Sequence, residues 1–257
     1  MERFDWLEVE KSEAGTPKPS GQTFDARYYF TRAEQAYLYG HYELALRHYG
    51  KALGEDSSME GAWFGQVLCL IEIGELPEAK VWAGKALDRF PQSAELLGAK
   101  ALVLARLGEG GDAMTLSDRA IAKKDAAWRV WLLRGLVLLC LQPDSRHEGC
   151  FIKALEGAVA GGYADLRIGI GFLEQGHLPA AQDHLLRATQ LDHQNPLAWA
   201  KLGACFEGLY SYRRAKECYE RALSLQPESS DPLLTAIARL GRVGLWARLK
   251  AALAGAG

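Results

Sequence analysis

The fold is decided by one stretch near the end of the chain, AWAKLGACFEGLYSYRRAKECYERALSLQP, residues 198–227. Apolar residues recur in it at helical spacing, first as Leu202 and Phe206 and then as Ala215, Tyr219 and Ala222. Side chains at such intervals share one face of a helix. The stretch therefore predicts two consecutive amphipathic helices, and its last residue is a proline, which is common just past a helix C-terminus.

The same pattern returns every 34 residues without insertion or deletion, in the blocks 26–59, 60–93, 94–127, 128–161, 162–195 and 196–229. Position 27 of every block is alanine, and position 8 is always small or short. Small side chains at these positions allow two helices to approach closely. Position 15 is glycine in four blocks, which predicts a left-handed residue between the helices. Each block is thus a helical hairpin that must stack on its neighbours to bury its apolar face.

The stretch 198–227 resembles a tetratricopeptide repeat at the positions that define that family, namely Trp199, Leu202, Gly203, Phe206, Ala215, Tyr219, Ala222 and Pro227. The resemblance implies an all-α, right-handed α-solenoid of about six such hairpins with a C-terminal capping helix pair. Residues 1–25 are then an N-terminal tail and linker, and residues 230–257 a partial repeat or cap. Two positions depart from the pattern: His147 replaces the alanine of position 20, and Asp165 replaces the aromatic residue of position 4.

Members of this family bind an extended or helical segment of another protein in a concave groove lined by the first helices. Positions 5, 9 and 12 face that groove, and fifteen of these eighteen residues are apolar here. The resemblance therefore implies an apolar partner segment and the groove residues Phe30, Tyr37, Phe64, Leu68, Ile71, Leu102, Leu132, Leu136, Leu139, Leu166, Ile170 and Leu173. The alternative is that curvature or neighbouring helices cover these residues and leave little open groove.

Some members of the family hold the acidic C-terminal peptides of heat-shock chaperones with a carboxylate clamp, which places Lys and Asn at positions 5 and 9. Phe30 and Glu34 occupy those positions in the first block. We therefore expect no heat-shock tail as partner.

The N-terminal segment MERFDWLEVEK, residues 1–11, carries Phe4, Trp6, Leu7 and Val9 among acidic residues, ahead of the linker AGTPKPSGQ. These four apolar residues lie outside the repeats, and leaving them exposed to water costs free energy. Three roles stay open at this stage: docking in the chain's own groove or capping of the first hairpin, disorder, and recognition by a partner.

Composition excludes several function classes. The formal net charge is −2, with 30 basic and 32 acidic residues, so we expect no nucleic acid and no anionic membrane as partner. The most apolar run, residues 130–142, is too short to span a membrane and contains Arg134. Five cysteines without a CxxC pair indicate reduced thiols, and the acidic residues near the start do not fit a secretory signal. These features predict a cytoplasmic protein.

Candidate chemical sites have simpler explanations. His41 and His48 return as His177 and His184, four repeats later, and no carboxylate or cysteine stands at metal-ligand spacing from either pair. The sequence RIGIGFLEQG, residues 167–176, lacks the third glycine and the preceding strand of a dinucleotide-binding loop. We therefore predict no catalytic residue, metal or cofactor.

Taken together, these patterns predict a non-catalytic scaffold or adaptor that binds an apolar segment of a partner protein. The alternative is a chaperone-like holder that keeps an aggregation-prone client soluble, since an apolar groove suits both roles.

Overall fold

The structure is a computed structural model, and it describes residues 25–123, 126–141, 147–158, 162–226 and 232–241. These residues form α-helices and contain no strand. The helices are α1 Ala26–Leu38, α2 Tyr42–Glu55, α3 Glu60–Ile73, α4 Leu76–Arg89, α5 Ala94–Arg106, α6 Gly110–Ile121, α7 Trp128–Leu141, α8 His147–Gly157, α9 Tyr163–Glu174, α10 Leu178–Leu191, α11 Pro196–Gly208 and α12 Tyr212–Leu225. Residues 232–241 are also helical. Each 34-residue block contains one pair of these helices.

The turns inside the pairs depend on a left-handed residue at position 15. Gly74 ends α3 with φ 89°, and its amide donates to the carbonyls of Leu70 and Ile71. Gly40, Gly108 and Gly176 also have positive φ, so the predicted role of this glycine is confirmed. In the sixth block Tyr210 takes the same conformation at φ 58°, a conformation that costs a non-glycine residue free energy.

In most hairpins the two helices approach closely because a small residue at position 8 or 24 faces a larger residue at the other position. Three hairpins place a glycine under a large side chain, Gly135 under Phe151, Gly169 under Leu185 and Gly203 under Tyr219. A β-carbon added at Gly203 would lie 2.7 Å from Cδ1 of Tyr219, which is inside van der Waals contact. In the second hairpin the larger residue is at position 8, Val67 with Ala83, and in the third both residues are small, Ala101 with Ser117.

The chain divides into two compact units, residues 1–157 and 158–257. In the first, α1 to α8 pack in chain order, and the first helices α3, α5 and α7 also pack side by side. In the second, α9 to α12 pack in chain order and α9 also contacts α11. There, Arg239 of the helix 232–241 donates to the carboxylate of Glu207 on α11 at 2.7 Å.

First and second helices differ in how much of their surface is covered. Nine residues are buried in α3 and nine in α5, against four in α4 and three in α6. Helices α3 and α5 are therefore enclosed on more than one side, while α4 and α6 keep a polar face. No helix of the described chain combines the length and the apolar character that a membrane crossing needs.

Candidate functional site: the first-helix face

The twelve residues predicted to line the groove are mostly buried. Ten of them are no more than 8% exposed, whereas Phe30 and Leu173 are half-buried. The most enclosed are Ile71, Leu139 and Ile170, each at 1%. Most of these residues thus belong to the core of their own unit, and their contact with a partner stays a prediction.

Neighbouring first helices account for part of this burial. Gly98 at position 5 of α5 lies against Leu133 of α7, so that an added β-carbon would be 3.0 Å from Cδ1 of Leu133. Cys140 of α7 places its sulfur 3.6 Å from the carbonyl of Ala105, at position 12 of α5. Positions 5 and 12 therefore pack against the next repeat as well as facing the predicted groove, which is why apolar residues there do not by themselves indicate an exposed surface.

Half-buried polar side chains accompany the apolar positions on this side of the first unit. Glu95 at the start of α5 lies 3.6 Å from the guanidinium of Arg129 on α7. Burial raises the pKa of the Glu95 carboxyl, although Arg129 acts in the opposite direction. Glu72 and Arg106 near the ends of α3 and α5 are also half-buried. These groups give the face an accessible polar edge.

The acidic residues of the predicted groove are hydrogen-bonded within the chain. Glu34 accepts from the hydroxyl of Tyr49 in the first repeat. Glu207 in the sixth accepts from the hydroxyl of Tyr219 at 3.0 Å as well as from Arg239. Burial and this hydrogen bond raise the pKa of Tyr219. Glu34, which departs from the carboxylate clamp, is therefore held in place by its own hairpin.

A charged cluster lies in the second unit at the departure noted in the sequence. Asp165 is 6% exposed, and its Oδ1 lies 2.8 Å from Nδ1 of His184 and 2.9 Å from the guanidinium of Arg187. The ring of His184 also stacks on Phe172, with centroids 5.8 Å apart. The sequence spacing indicated no acidic residue near His184. The structure places Asp165, nineteen residues earlier in the chain, beside it.

The position of this cluster in the repeat explains it. In the first two hairpins position 4 meets position 23 as an aromatic pair, Tyr29 with His48 at 6.3 Å and Trp63 with Trp82 at 5.7 Å. Position 26 is basic in all six blocks: Lys51, Lys85, Arg119, Lys153, Arg187 and Arg221. Lys153, for example, lies 3.9 Å above the ring of Trp131 at position 4. Columns 4, 23 and 26 of the repeat, compared with one another, indicate this cluster from the sequence.

The cysteines behave as small apolar residues. Cys69, Cys150, Cys205 and Cys218 are buried, whereas Cys140 is half-buried. Burial raises the pKa of the four buried thiols, that of Cys218 to about 11. A thiol with a raised pKa is a poor nucleophile, because the thiolate is the reactive form.

In the part of the chain that the structure describes, no three His, Cys, Asp or Glu residues are grouped as metal ligands. Phe4, Trp6, Leu7 and Val9 lie outside the described residues.

Comparisons with solved structures address the fold. This chain is similar to a chain of the APC/C heterotetramer Cut9–Hcn1, at 16% identity and a TM-score of 0.52. The match covers 86% of this chain and 43% of the other. Similarity to PilW, a type IV pilus biogenesis factor, covers 82% of this chain and 98% of PilW, at 18% identity and a TM-score of 0.50. YrrB, a TPR protein with an unusual peptide-binding site, matches 70% of this chain over 93% of its own, at 19% identity and a TM-score of 0.41.

The fold of this chain is similar to that of the tetratricopeptide-repeat structures. The 34-residue signature and the paired helices agree, and the predicted all-α helical-repeat solenoid is confirmed. The sequence matches no protein-family model and no curated protein. The chain spans less than half of the Cut9–Hcn1 chain to which it is similar.

Proposed function

We propose that this chain is a non-catalytic scaffold that binds an apolar segment of a partner protein along the first helices of its first unit. The observation that carries the proposal is the repetition of large apolar residues at positions 5, 9 and 12. They are Phe64, Leu68 and Ile71 in α3 and Leu132, Leu136 and Leu139 in α7, with Leu102 at position 9 of α5 between them.

The physical basis of binding is removal from water of the apolar surface that this face still exposes, against the cost of ordering the segment. The polar edge formed by Glu72, Glu95, Arg106 and Arg129 would orient the segment, because hydrogen bonds and charges add specificity at the rim of an interface. YrrB, which has a similar fold, has a peptide-binding site, and Cut9 assembles with Hcn1.

The chaperone-like holder is the second candidate, and the scattered placement of the exposed apolar side chains argues against it. A holder must present a contiguous apolar surface to unfolded clients. Exposed apolar side chains such as Val81, Ile152 and Leu191 lie on different second helices. A scaffold that accepts one matched segment is favoured.

Photo-crosslinking tests the site without placing a charge in the core. A photoreactive amino acid replaces Glu72, which is half-buried at the edge of the first-helix face. The matched control replaces Val81, which is 56% exposed on the second helix α4 of the same hairpin. After co-purification from the source cells, we expect one stoichiometric adduct from position 72 and none from position 81.

The remaining outcomes separate the candidates. Adducts from position 81 alone would exclude the first-helix face as the binding site. Many substoichiometric adducts from position 72 would support the holder and contradict the scaffold. Mass spectrometry of the adduct identifies the partner in the same experiment.

A further inference from the structure

Tyr210 combines a costly backbone conformation with a side chain that is mostly in water. Among the described residues it is the one non-glycine with a positive φ, and it stands at position 15, where four other blocks have glycine. The left-handed region costs free energy for a residue with a β-carbon and not for glycine. Tyr210 is 79% exposed, so burial of its ring does not offset that cost. A strained and exposed side chain indicates a role outside the packing of its own repeat.

The turn around Tyr210 is aromatic and basic. Positions 15–19 of this block are Tyr210, Ser211, Tyr212, Arg213 and Arg214, and they include no acid. The rings of Tyr210 and Tyr212 lie edge to face, with centroids 6.2 Å apart. The side chain of Arg213 is 93% exposed, and its ion pair with Glu217 is screened by water. Tyrosine and arginine are the residue types that contribute most to protein interfaces. We call Tyr210, Tyr212, Arg213 and Arg214 the basic turn surface.

The same positions have the opposite charge in the first unit. In the second and third blocks, positions 16 and 19 are all acidic: Glu75, Glu78, Glu109 and Asp112. Positions 15–19 of these two blocks contain no base. Lys80 on α4 joins the two turns, because its ammonium lies 2.7 Å from the carboxylate of Glu109. We call the four acids and Lys80 the acidic turn surface, and its net charge is −3.

We propose that the basic turn surface of one copy of this chain contacts the acidic turn surface of a second copy. The two surfaces are opposite in charge although the whole chain is nearly neutral, at −2. Arg213 and Arg214 attract the carboxylates, which orients the contact. Pro77 is exposed between the acids of the second block and offers an apolar contact to the ring of Tyr210.

Every copy carries both surfaces, so two copies make the same contact twice about a two-fold axis. The contact uses the turns between helices and not the first-helix face, and it therefore does not rest on the proposed function. Each surface comprises one or two turns, so we expect a weak and reversible dimer. Its charges are exposed, so its dissociation constant should rise at least tenfold between about 50 mM and about 500 mM salt.

A charge exchange between two variants of the full chain tests the contact by sedimentation velocity at about 50 mM salt. Arg213→Glu/Arg214→Glu makes both surfaces of one variant acidic, and Glu78→Lys/Asp112→Lys makes both surfaces of the other basic. We expect each variant alone to be monomeric at concentrations at which the unchanged chain dimerises. An equimolar mixture of the two should dimerise again, because each surface then meets one of opposite charge.

The matched control for charge is Lys216→Glu/Arg221→Glu, which reverses two exposed bases on the same helix α12, outside the basic turn surface. This control should dimerise like the unchanged chain. Circular dichroism of every variant verifies the fold. Should a double variant lose helicity, the single variants Arg213→Glu and Asp112→Lys repeat the mixing experiment.

Tyr210→Gly separates the contact from stability. Glycine relieves the strained backbone, so the midpoint of thermal unfolding should rise by about 2–4 °C. Loss of the ring should raise the dissociation constant of the dimer at least about tenfold. Tyr210→Phe, which keeps the ring, should dimerise like the unchanged chain. A variant that is more stable and yet binds less well cannot owe that loss to damaged folding.

Three outcomes would overturn the proposal. The first is a monomeric unchanged chain at about 200 µM and low salt, since even a weak contact is populated at that concentration. The second is a dimer that Arg213→Glu/Arg214→Glu leaves intact, which would assign association to another surface. The third is a mixture of the two charge variants that stays monomeric, because opposite charges at the turns would then not bring two copies together.

Discussion

Two hairpins of the same repeat pattern fill the space between their helices with opposite kinds of side chain, one aromatic and the other charged. In α3–α4 of the first unit, Trp63 meets Trp82, and the ammonium of Lys85 lies 4.7 Å from the ring of Trp82. In α9–α10 of the second unit, the same three positions hold Asp165, His184 and Arg187. The first set is a pair of indole rings with an ammonium group near one of them. The second is a buried carboxylate between an imidazole and a guanidinium group.

The comparison shows what the fold requires at positions 4 and 23. The helices need a filled space between them, and an aromatic pair fills it through dispersion and apolar burial. A polar set fills it equally well only while every member is paired, because a buried charge without a partner is costly. The aromatic hairpin should therefore tolerate single changes better than the charged one.

The largest effect is expected from Asp165→Ala. The change leaves His184 and Arg187 facing a cavity without their acceptor, and removing one partner of a buried pair is strongly destabilising. Arg187 is about half exposed, which reduces the loss, so we expect about 2–4 kcal/mol. Urea unfolding followed by circular dichroism measures it. Asp183→Ala, an exposed acid on α10, is the control and should change stability by less than about 0.5 kcal/mol.

The double variant Asp165→Leu/His184→Leu should recover most of that loss. The third repeat already has Leu97 and Leu116 at these two positions, and Leu116 packs against the cluster that contains Leu97. Replacing a buried polar set by apolar residues of similar size is often neutral or better. If the double variant is as unstable as Asp165→Ala, the charged cluster has a role that filling the space cannot replace.

Gly203→Ala is expected to cost about 1–3 kcal/mol, because the new β-carbon would overlap the ring of Tyr219 and force the helices apart. Thermal unfolding provides the measurement. Gly54→Ala is the matched control, since nothing lies within 4 Å of a β-carbon there. It should raise stability by up to about 1 kcal/mol through helix propensity. Equal effects of the two substitutions would contradict the proposed exchange of volume between positions 8 and 24.

The helical hairpins and their turns were predictable because their signals are local. Helical spacing, the glycine of position 15 and the alanine of position 27 act within one block, and the period aligns all of them. The place of Gly74 at the end of α3 follows from backbone sterics alone, since only glycine adopts that conformation without cost.

The burial of the first-helix face was harder to predict. An apolar residue gives the same sequence pattern whether it contacts a partner or a neighbouring helix. Leu132 and Leu166 differ from Phe30 in burial but not in their pattern along the chain. The division into two units at residue 157 was not predicted either, since the repeat period continues across it without a gap. For Asp165, the aromatic position that it replaces was apparent, but its partners depend on the packing of α9 on α10.

A smaller effect, of opposite sign, is expected at position 7. Arg134 is paired there with Asp118, whereas Gln66 is 1% exposed and neither polar atom of its amide has a hydrogen-bond partner among the described residues. Gln66→Leu removes a buried amide whose hydrogen bonds are unmade, and should stabilise the chain by about 1–2 kcal/mol. Urea unfolding checks this. Gln66→Glu, which places a charge at the same site, should destabilise it.

The smallest effect concerns the two histidines of position 23. His48 stacks on Tyr29 with centroids 6.3 Å apart, and the cations Lys51 and Arg32 are near enough to act on its pKa. Burial, with these cations, lowers the pKa of His48. His184, by contrast, has Asp165 at hydrogen-bond distance. Protonation therefore opposes folding at His48, since the unfolded chain binds that proton more readily.

The sign follows from the lowered pKa. The contribution of neutral His48 is fully present above the ordinary histidine value of about 6.5, and it is lost as the pH falls through that value towards the folded pKa. His48→Gln, which cannot titrate, should remove this part of the loss between about pH 7.5 and about pH 5.5. Urea midpoints at several pH values measure the difference between variant and unchanged chain. A difference that is the same at every pH would contradict the assignment to His48.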